Sequence, residues 1–461
     1  MSATAAEAFP VESAERLEVL EGQPSDAELT DDLLHAIWKT NKVWWVLFVV
    51  TGLGTLVFLG LVLYTVSEGI GVWGNNIPVA WAFAIINFVW WIGLGHAGTF
   101  ISAFLLLLEQ KWRGSVNRIA EAMTLFAVMM AGVWPLLHLG RPWFFYWLIP
   151  YPATMRIWPQ FRSALPWDAA AVFTYFTVSV LFWYMGLVPD LAAARDRAPT
   201  RFRAKLYAIA SLGWRGSVRD WSRYRLIYGL LAGMATPLVV SVHSVVSLDF
   251  AIAQVPGWHE TIYPPYFVVG AIFSGFALVL MLVVPIRKIF DWKHVITEKH
   301  LESMAKITLT TGWILLYAYA VEAFLAWYSG DIYDKYLLLF NRPLGPYAKI
   351  YWITIFCNFI PMQLFWFRRF RRSSLTCFAV GTFVFVGMWL ERFDIVVISL
   401  SRDFLPSSWN FYLPSAVDLG LILSSLMAFS FLFLIFLKVA PAVPIHEVKE
   451  LAHEKLREAR G

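Results

Sequence analysis

A histidine and an arginine, His138 and Arg141, lie three residues apart at the end of a long apolar run. The next apolar run opens with Trp167 and Asp168. If the two runs form antiparallel neighbouring helices, His138 and Asp168 lie at the same membrane depth. Histidine titrates near neutral pH and a partly desolvated carboxylate can relay a proton, so the pair could accept the protons that a quinol releases on oxidation. The alternative is a helix-end histidine that bonds a loop carbonyl, and the spacing leaves both open.

A second group of polar side chains occupies the end of a later apolar run. His243 and Asp249 are six residues apart, and Ser241, Ser244 and Ser247 repeat every three residues beside them. Such a stripe can hold ordered water and conduct protons. Small serines also favour close helix packing, which is the alternative for this pattern.

Three charged residues, Glu391, Arg392 and Asp394, lie deep inside the ninth apolar run, where ionisable groups are costly and usually functional. Glu391 and Asp394 share a helix face at a spacing of three residues, and Arg392 can neutralise only one of them. The pattern favours a proton path, with a structural ion-pair cluster as the alternative. Glu322 and Asp418 lie nearer the ends of their runs, and we expect them to be boundary residues.

His96 lies near the middle of the second apolar run among glycines, which indicates close helix packing. A b-type haem with two histidine ligands needs a second histidine at the same depth. Because His243 is expected nearer the outer surface, we predict that the chain holds no haem. The two cysteines, Cys357 and Cys377, form no CxxC motif, so we also expect no iron–sulfur cluster and no metal site.

The composition indicates an all-α polytopic membrane protein. Of 461 residues, 59% are hydrophobic and only 15% are charged, whereas roughly a quarter are charged in an average soluble domain. The net charge of +5 comes from basic residues in short loops and does not indicate nucleic-acid binding. A bilayer core of ~30 Å requires about 20 apolar residues in a helix. Ten runs qualify: 43–66, 78–108, 116–138, 167–189, 225–247, 263–286, 304–328, 347–367, 374–400 and 412–438.

Lysine and arginine are concentrated in alternate connections, which predicts the orientation of the helices. The connections that follow the second, fourth, sixth and eighth runs are basic, whereas residues 68–77 and 248–262 contain no Lys or Arg. We therefore predict that both termini are cytoplasmic and that the 139–166 loop lies outside. That loop is rich in proline, tryptophan and arginine, which indicates either a rigid interfacial loop or a segment that docks a partner or an anion.

The two ends of the chain are expected to be cytoplasmic tails. Residues 1–42 are acidic and lack the basic segment and short apolar core of a cleaved signal peptide. In the tail at 439–461 we expect an exposed amphipathic helix without chemistry of its own. The basic 190–224 connection is expected to be a solvated segment on the lipid headgroups.

Four short motifs stand out at these polar positions: His138–Pro142, Gly95–Phe100, Val245–Ala251 and Tyr263–Gly270. They resemble motifs of the membrane subunits of the NrfD/polysulfide reductase family. Within that family, residues 43–438 are most similar to ActC, a membrane subunit of bacterial alternative complex III. Its paralogue in the same complex, ActF, is the main alternative.

The resemblance implies two four-helix bundles, at about 78–247 and 263–400, with one peripheral helix at each end of the membrane domain. It implies a bacterial inner-membrane protein that oxidises menaquinol or ubiquinol at the outer side. Electrons would pass to an iron–sulfur subunit and on to multihaem cytochrome c subunits. A paralogous membrane subunit would lie in the same complex.

The resemblance also implies residue roles. His138 and Asp168 match the quinol-site positions, with Arg141 and Trp167 beside them. The positions that match a proton path are His243, Asp249, Glu391, Arg392 and Asp394. Two other functions stay open: a proton-conducting or anchoring paralogue that binds no quinol, and a secondary transporter. A transporter should show a pair of interrupted helices in its two halves, and no such pair is evident.

The predicted orientation can be tested by labelling. A cysteine introduced between residues 150 and 160 should react with a membrane-impermeant maleimide added outside intact cells, because this loop is predicted to lie outside. Both native cysteines lie in predicted helices and can be replaced by serine beforehand. Labelling from the cytoplasmic side alone would reverse the orientation.

Overall fold

The computed structural model describes residues 18–22, 24–148 and 164–458, and these ranges contain helices and no strand. The long helices, in chain order, are α1 (Asp26–Trp38), α2 (Lys42–Glu68), α3 (Phe83–Thr99), α4 (Asn117–His138), α5 (Ala164–Asp196), α6 (Arg201–Ala210), α7 (Val218–Ala251), α8 (Tyr263–Ile289), α9 (Glu298–Tyr328), α10 (Ala348–Phe359), α11 (Ser374–Phe393), α12 (Ala416–Val439) and α13 (Ile445–Glu458).

Eight of these helices are long and apolar enough to cross a membrane: α2, α3, α4, α5, α7, α8, α9 and α12. The other two predicted runs, 347–367 and 374–400, are not among these eight and form less regular helical segments. In one, α10 gives way after Phe359 to a 3-10 turn at Pro361–Trp366, because Pro361 cannot donate the next helical hydrogen bond. In the other, α11 continues through a π-helical turn at Asp394–Ile398. The all-α polytopic fold class is confirmed.

The crossing helices form two groups of four that share an interface. Helices α3, α4, α5 and α7 pack in a ring, and α8, α9, α10 and α11 pack in a second ring. The rings meet mainly through α3 and α8. A Cβ atom on Gly275 would lie 2.4 Å from the Cβ of Ala97, so only glycine permits this approach. The indole of Trp389 donates to Asn87 at 2.8 Å and ties α11 to α3.

Helices α2 and α12 lie outside the two rings and pack against each other. The indole of Trp44 donates to the carbonyl of Leu434 at 3.2 Å. Gly54 lies against Met427 so closely that a Cβ there would be 2.4 Å from the Met427 side chain. The first and last membrane helices are therefore one pair, which packs on the first ring through α12 and α4.

Both ends of the described chain lie on one face of the molecule, which we call the terminal face. Lys455 contacts Glu18 at 2.6 Å and the backbone carbonyls of residues 20 and 22. The basic connections converge here: Arg197 pairs with Asp31 of α1 at 2.5 Å, and Lys111 pairs with Glu454 of α13 at 2.7 Å. The other side, which we call the opposite face, carries the connections around residues 69–82, 139–148, 252–262, 329–347 and 402–415.

The C-terminal helix corrects one expectation. It is docked rather than exposed, since Ile445, Val448 and Ala452 are all buried. Its first turn binds a buried carboxylate, because Asp190 accepts from the backbone N–H of Ile445 at 3.1 Å and contacts the His446 ring at 3.2 Å. The apolar face that the sequence predicted to meet solvent or lipid packs on the protein instead.

A glycine substitution tests the packing of α3 on α4. A Cβ on Gly98 would lie 2.1 Å from the carbonyl oxygen of Ala120 and 2.1 Å from Oγ1 of Thr124. Gly98→Ala should therefore destabilise the protein by about 1–3 kcal/mol, as overpacking does elsewhere. The matched control is Gly132→Ala in α4, where nothing lies within 4 Å. Thermal unfolding in detergent should show a lower midpoint for Gly98→Ala alone; equal midpoints would contradict the close packing.

Candidate functional site

Three helices of the first ring end at the opposite face with a titratable side chain. His138 is the last residue of α4, Asp168 lies in the first turns of α5, and Asp249 lies in the last turn of α7. Asp168 is buried, whereas His138 and Asp249 are partly buried. The fold thus collects one imidazole and two carboxyl groups at one end of the ring.

The carboxyl groups of Asp168 and Asp249 are in hydrogen-bonding contact. Two carboxyl groups hydrogen-bond to each other only through a proton on one of them, so this arrangement suits a pair that holds one proton and accepts a second. This pairing changes one prediction, because the sequence placed Asp249 on a path with His243. The other oxygen of Asp168 is buried and has no hydrogen-bond partner in the described part of the chain.

The His138 imidazole lies between the protein interior and the lipid. Its ring meets the edge of Trp81 at a centroid distance of 5.8 Å. Its Nδ1 atom is buried and has no partner among the described residues. No hydrogen bond between His138 and Asp168 is present in the described ranges, so any proton transfer between them needs an intermediary group. Large apolar side chains nearby are exposed, namely Leu136, Leu139, Trp143, Phe145, Leu165 and Trp167.

The remaining predicted quinol-site residues flank this position. Arg141 is exposed, and the indole of Trp167 is 37% exposed beside Asp168. Residues 149–163 of the connecting loop lie outside the described residues, and with them Arg156 and Arg162. The described part therefore presents a histidine and a carboxyl pair next to a lipid-accessible apolar surface.

Two fully buried histidines of the first ring, His96 and His243, contact each other, which overturns the predicted difference in depth. The ring centroids of His96 and His243 are 4.7 Å apart, and both side chains are fully buried. His96 also stacks on Tyr175 and bonds the carbonyl of Ile92 through Nδ1 at 2.6 Å. The predicted absence of haem was based on a difference in depth between these two histidines, and that basis no longer holds. The absence of haem stays a prediction, now because two imidazole rings in contact leave no space for a haem between them. Both ring nitrogens of His243 lack partners among the described residues.

A continuous contact chain leads from His243 into the second ring. The centroid of its imidazole lies 5.8 Å from that of the Phe267 ring, and the guanidinium of Arg392 lies over the same ring at 4.6 Å. Arg392 pairs with Glu391 at 3.0 Å, and the hydroxyl of Tyr266 donates to the same carboxylate. Of the five predicted proton-path residues, the structure brings together four, and Asp249 is the exception.

Glu391 and Asp394 line an internal cavity of about 40 Å³ near the opposite face. Since one water needs roughly 10–15 Å³ measured this way, the cavity has room for about three or four water molecules. Glu322, which was expected at the boundary because it lies near the end of its run, lines the same cavity and is 5% exposed. It pairs with Arg342 at 3.0 Å and accepts from Tyr263 at 3.2 Å. A hydropathy pattern does not reveal that a residue near the end of such a run is buried inside the protein.

Glu260 lies in the connection before α8, close to this cavity. Burial, together with the neighbouring carboxylates of Glu322 and Asp334, raises the pKa of Glu260 to about 8. At neutral pH this side chain is therefore mostly protonated and can release its proton in a physiological range. No sequence pattern marks this residue, because it lies in a loop without charge clustering.

Asp418 lies in the first turn of α12, at the end of its run as expected. It is 2% exposed and caps α12, accepting from the backbone N–H groups of Gly74 and Ser415 at 2.9 Å each. Its role is structural, because both contacts satisfy backbone N–H groups, one at the start of α12 and one in a neighbouring turn.

A second buried network near the terminal face was missed altogether. Arg118 is fully buried and pairs with Glu121 at 2.7 Å and with Asp190 at 3.3 Å. Tyr228 donates to Glu121 at 3.0 Å. The available signal was the spacing of Arg118 and Glu121 at i and i+3 inside an apolar run, which indicates an interior ion pair. Within the described ranges, no group of three metal-binding side chains occurs.

Comparisons with known proteins agree with this arrangement. The family model described as Polysulphide reductase, NrfD matches residues 71–402. A protein of Halobacterium salinarum, named as a membrane subunit of dimethyl sulfoxide reductase, is 27% identical over 225 residues, or 49% of this chain. This chain spans about half of that relative, 47%. A selenate reductase subunit of Mesobacillus selenatarsenatis is 22% identical over 418 residues, covering 84% of this chain and 91% of the relative. Neither name refers to alternative complex III.

Proposed function

Because the chain belongs to the NrfD polysulphide reductase family, we propose that it is the quinol-oxidising membrane subunit of a respiratory oxidoreductase complex. The observation that carries this proposal is the half-buried His138 beside a lipid-accessible apolar surface, at the same helix ends as the Asp168–Asp249 carboxyl pair. A quinol reaches such a position laterally from the bilayer. Its hydroxyl groups then meet proton acceptors on entry.

Oxidation of a quinol to a quinone releases two electrons and two protons, and the residues present can take both protons. The imidazole of His138 accepts one proton from the first hydroxyl group. The carboxyl pair, which shares one proton, accepts the other and then holds two. Arg141 and Trp167 orient the head group from the exposed side. The electrons leave to an iron–sulfur partner that binds at the opposite face, which we propose is the outer side of a bacterial inner membrane.

The second part of the proposal concerns proton movement. The chain of contacts from His243 through the Phe267 ring and Arg392 to Glu391 connects the two rings. Because a phenyl ring carries no exchangeable proton, a proton passes Phe267 only by way of water. The water-sized cavity beside Glu391 and Asp394 then leads toward Glu260 near the opposite face. Three carboxyl groups, those of Glu322, Glu391 and Asp394, lie at this cavity, and two arginines pair with Glu322 and Glu391. One carboxyl group is therefore in excess and is free to carry a proton. In the alternative, which we call the clamp, the same residues form an ion-pair cluster that holds the helices together and moves no protons.

Two kinds of complex fit the chain. The relatives are named for a dimethyl sulfoxide reductase and a selenate reductase, which favours a partner that reduces a terminal acceptor. The motif resemblance to ActC of alternative complex III favours multihaem cytochrome c subunits and a paralogous membrane subunit. Purification of the chain from its native membrane, followed by identification of co-purifying haem proteins, distinguishes the two. The quinol-oxidising role is common to both.

Substitutions at the quinol site test the main proposal. His138→Ala should reduce quinol oxidation by about 10²–10⁴-fold, the usual cost of losing a positioned proton acceptor. Asp168→Asn keeps the shape but removes an acceptor and should act similarly. The rate is measured with a soluble quinol and normalised to assembled complex.

The control for this experiment is His259→Ala, which removes an exposed histidine on the same face. Its turnover should equal that of the wild type. Near-normal turnover in both His138→Ala and Asp168→Asn would place the site elsewhere, and would favour a proton-conducting or anchoring subunit that binds no quinol.

Replacement of Glu391 tests the proton path. Glu391→Gln preserves size and hydrogen bonding but cannot relay a proton, so proton release per quinol in reconstituted vesicles should fall while assembly persists. In the clamp alternative, Arg392 is left with an uncompensated buried charge, which costs ~3–5 kcal/mol and lowers assembly. Glu68→Gln, at the exposed end of α2, is the control. Unchanged proton release with reduced assembly would decide for the clamp.

A further inference from the structure

A cleft of about 630 Å³ opens on the outer side of α9, at the half of the helix nearest the terminal face. It exists because α10 ends at Phe359 and the chain then tightens into the 3-10 turn Pro361–Trp366, which leaves α9 uncovered. The lining residues are apolar or aromatic along the cleft and basic at one end. They include Leu309, Trp313, Ile314, Tyr317, Trp366, Lys306 and Arg371.

The dimensions of the cleft match one leaflet of a membrane. Lys306 and Tyr317 are eleven residues apart on α9, which is about 16 Å along a helix and half of a ~30 Å bilayer core. Trp313 and Trp366 form its walls, with ring centroids 6.3 Å apart in an edge-to-face arrangement. Both indoles remain exposed, at 43% and 58%. A long apolar chain can therefore lie against the aromatic rings.

The basic end of the cleft carries surplus positive charge. Glu302 is the shared partner of three cations: Lys306 at 2.9 Å, Arg372 at 3.0 Å and Arg371 at 3.5 Å. Even without Arg372, Lys306 and Arg371 share one carboxylate and keep a net positive charge at the cleft. Arg371 is also fixed by the carbonyl oxygens of residues 365 and 366, at 2.8 and 2.9 Å, so its position is set by the turn that forms the cleft.

We propose that this cleft binds one anionic phospholipid, with its phosphate at Lys306 and Arg371 and an acyl chain along Trp313 and Trp366. The match is of charge and shape: surplus positive charge at the interface and an apolar groove one leaflet deep. A quinone would leave that charge without a counter-charge, since its head group is neutral. The cleft lies near the terminal face on the outside of the second ring, and the proposal does not depend on the quinol site.

Lipid titration of the full-length protein, with any subunits that co-purify, tests this site. Native mass spectrometry in mild detergent gives dissociation constants for phosphatidylglycerol and for phosphatidylcholine with the same acyl chains. The wild type should prefer phosphatidylglycerol. Lys306→Gln should weaken that preference about fivefold, which is what one lysine near an anionic membrane surface contributes, and leave phosphatidylcholine binding unchanged. Trp313→Ala should weaken binding of both lipids.

Matched variants on the same helix serve as controls. Lys299→Gln removes a lysine two turns before Lys306, and Trp327→Ala removes an exposed indole at the other end of α9. Neither should change lipid binding at this site. Equal affinity of the wild type for both lipids would overturn the proposal. A quinone that co-purifies with the wild type and is lost in Trp313→Ala would also overturn it. Unchanged lipid binding in both Lys306→Gln and Trp313→Ala would overturn it as well.

Discussion

The fully buried guanidinium of Arg118 holds the first ring of helices together. It bonds Glu121 on its own helix, Asp190 on α5 at 3.3 Å, and the carbonyl oxygen of Gly186 at 2.6 Å. Gly186 has to be a glycine, because a Cβ there would lie 2.3 Å from the guanidinium. Through Glu121 and Tyr228 the network reaches α7, and through Asp190 it reaches the C-terminal helix. Loss of one partner would leave an uncompensated buried charge at a cost of ~3–5 kcal/mol.

The same helices carry the groups at the opposite face, so the geometry there depends on this distant ion cluster. Helices α4, α5 and α7 are tied at the terminal face and present His138, Asp168 and Asp249 at their other ends. The second ring has the reverse arrangement, with its buried arginines near the opposite face. Lipid cannot solvate such charges, so each is paired inside the protein. The contact of His96 with His243 lies between the two clusters.

Hydropathy predicted the membrane helices well, because a bilayer of fixed thickness imposes a minimum length on every crossing run. Hydropathy did not predict the membrane depth of individual residues when that depth was counted from the ends of the apolar runs. His243 lies eight residues, or about 12 Å, before the end of α7, whereas His96 lies about 20 Å after the start of α3. The rings nevertheless touch, since α7 extends over 34 residues and its ends are not level with those of α3. For the same reason Glu322, near the end of a 31-residue helix, is interior.

The pairing of α2 with α12 has a consequence for biosynthesis. Trp44 and the residue whose carbonyl it bonds are 390 positions apart, so the second is made roughly 20–80 s after the first at ordinary translation rates. During that interval α2 must remain in the bilayer without its eventual neighbour. Helix α2 can remain in the bilayer on its own, because it has no charged residue between Val43 and Ser67 and most of its surface is apolar and not buried against the protein. Insertion of α12, rather than insertion of α2, is then the step at which this pair closes.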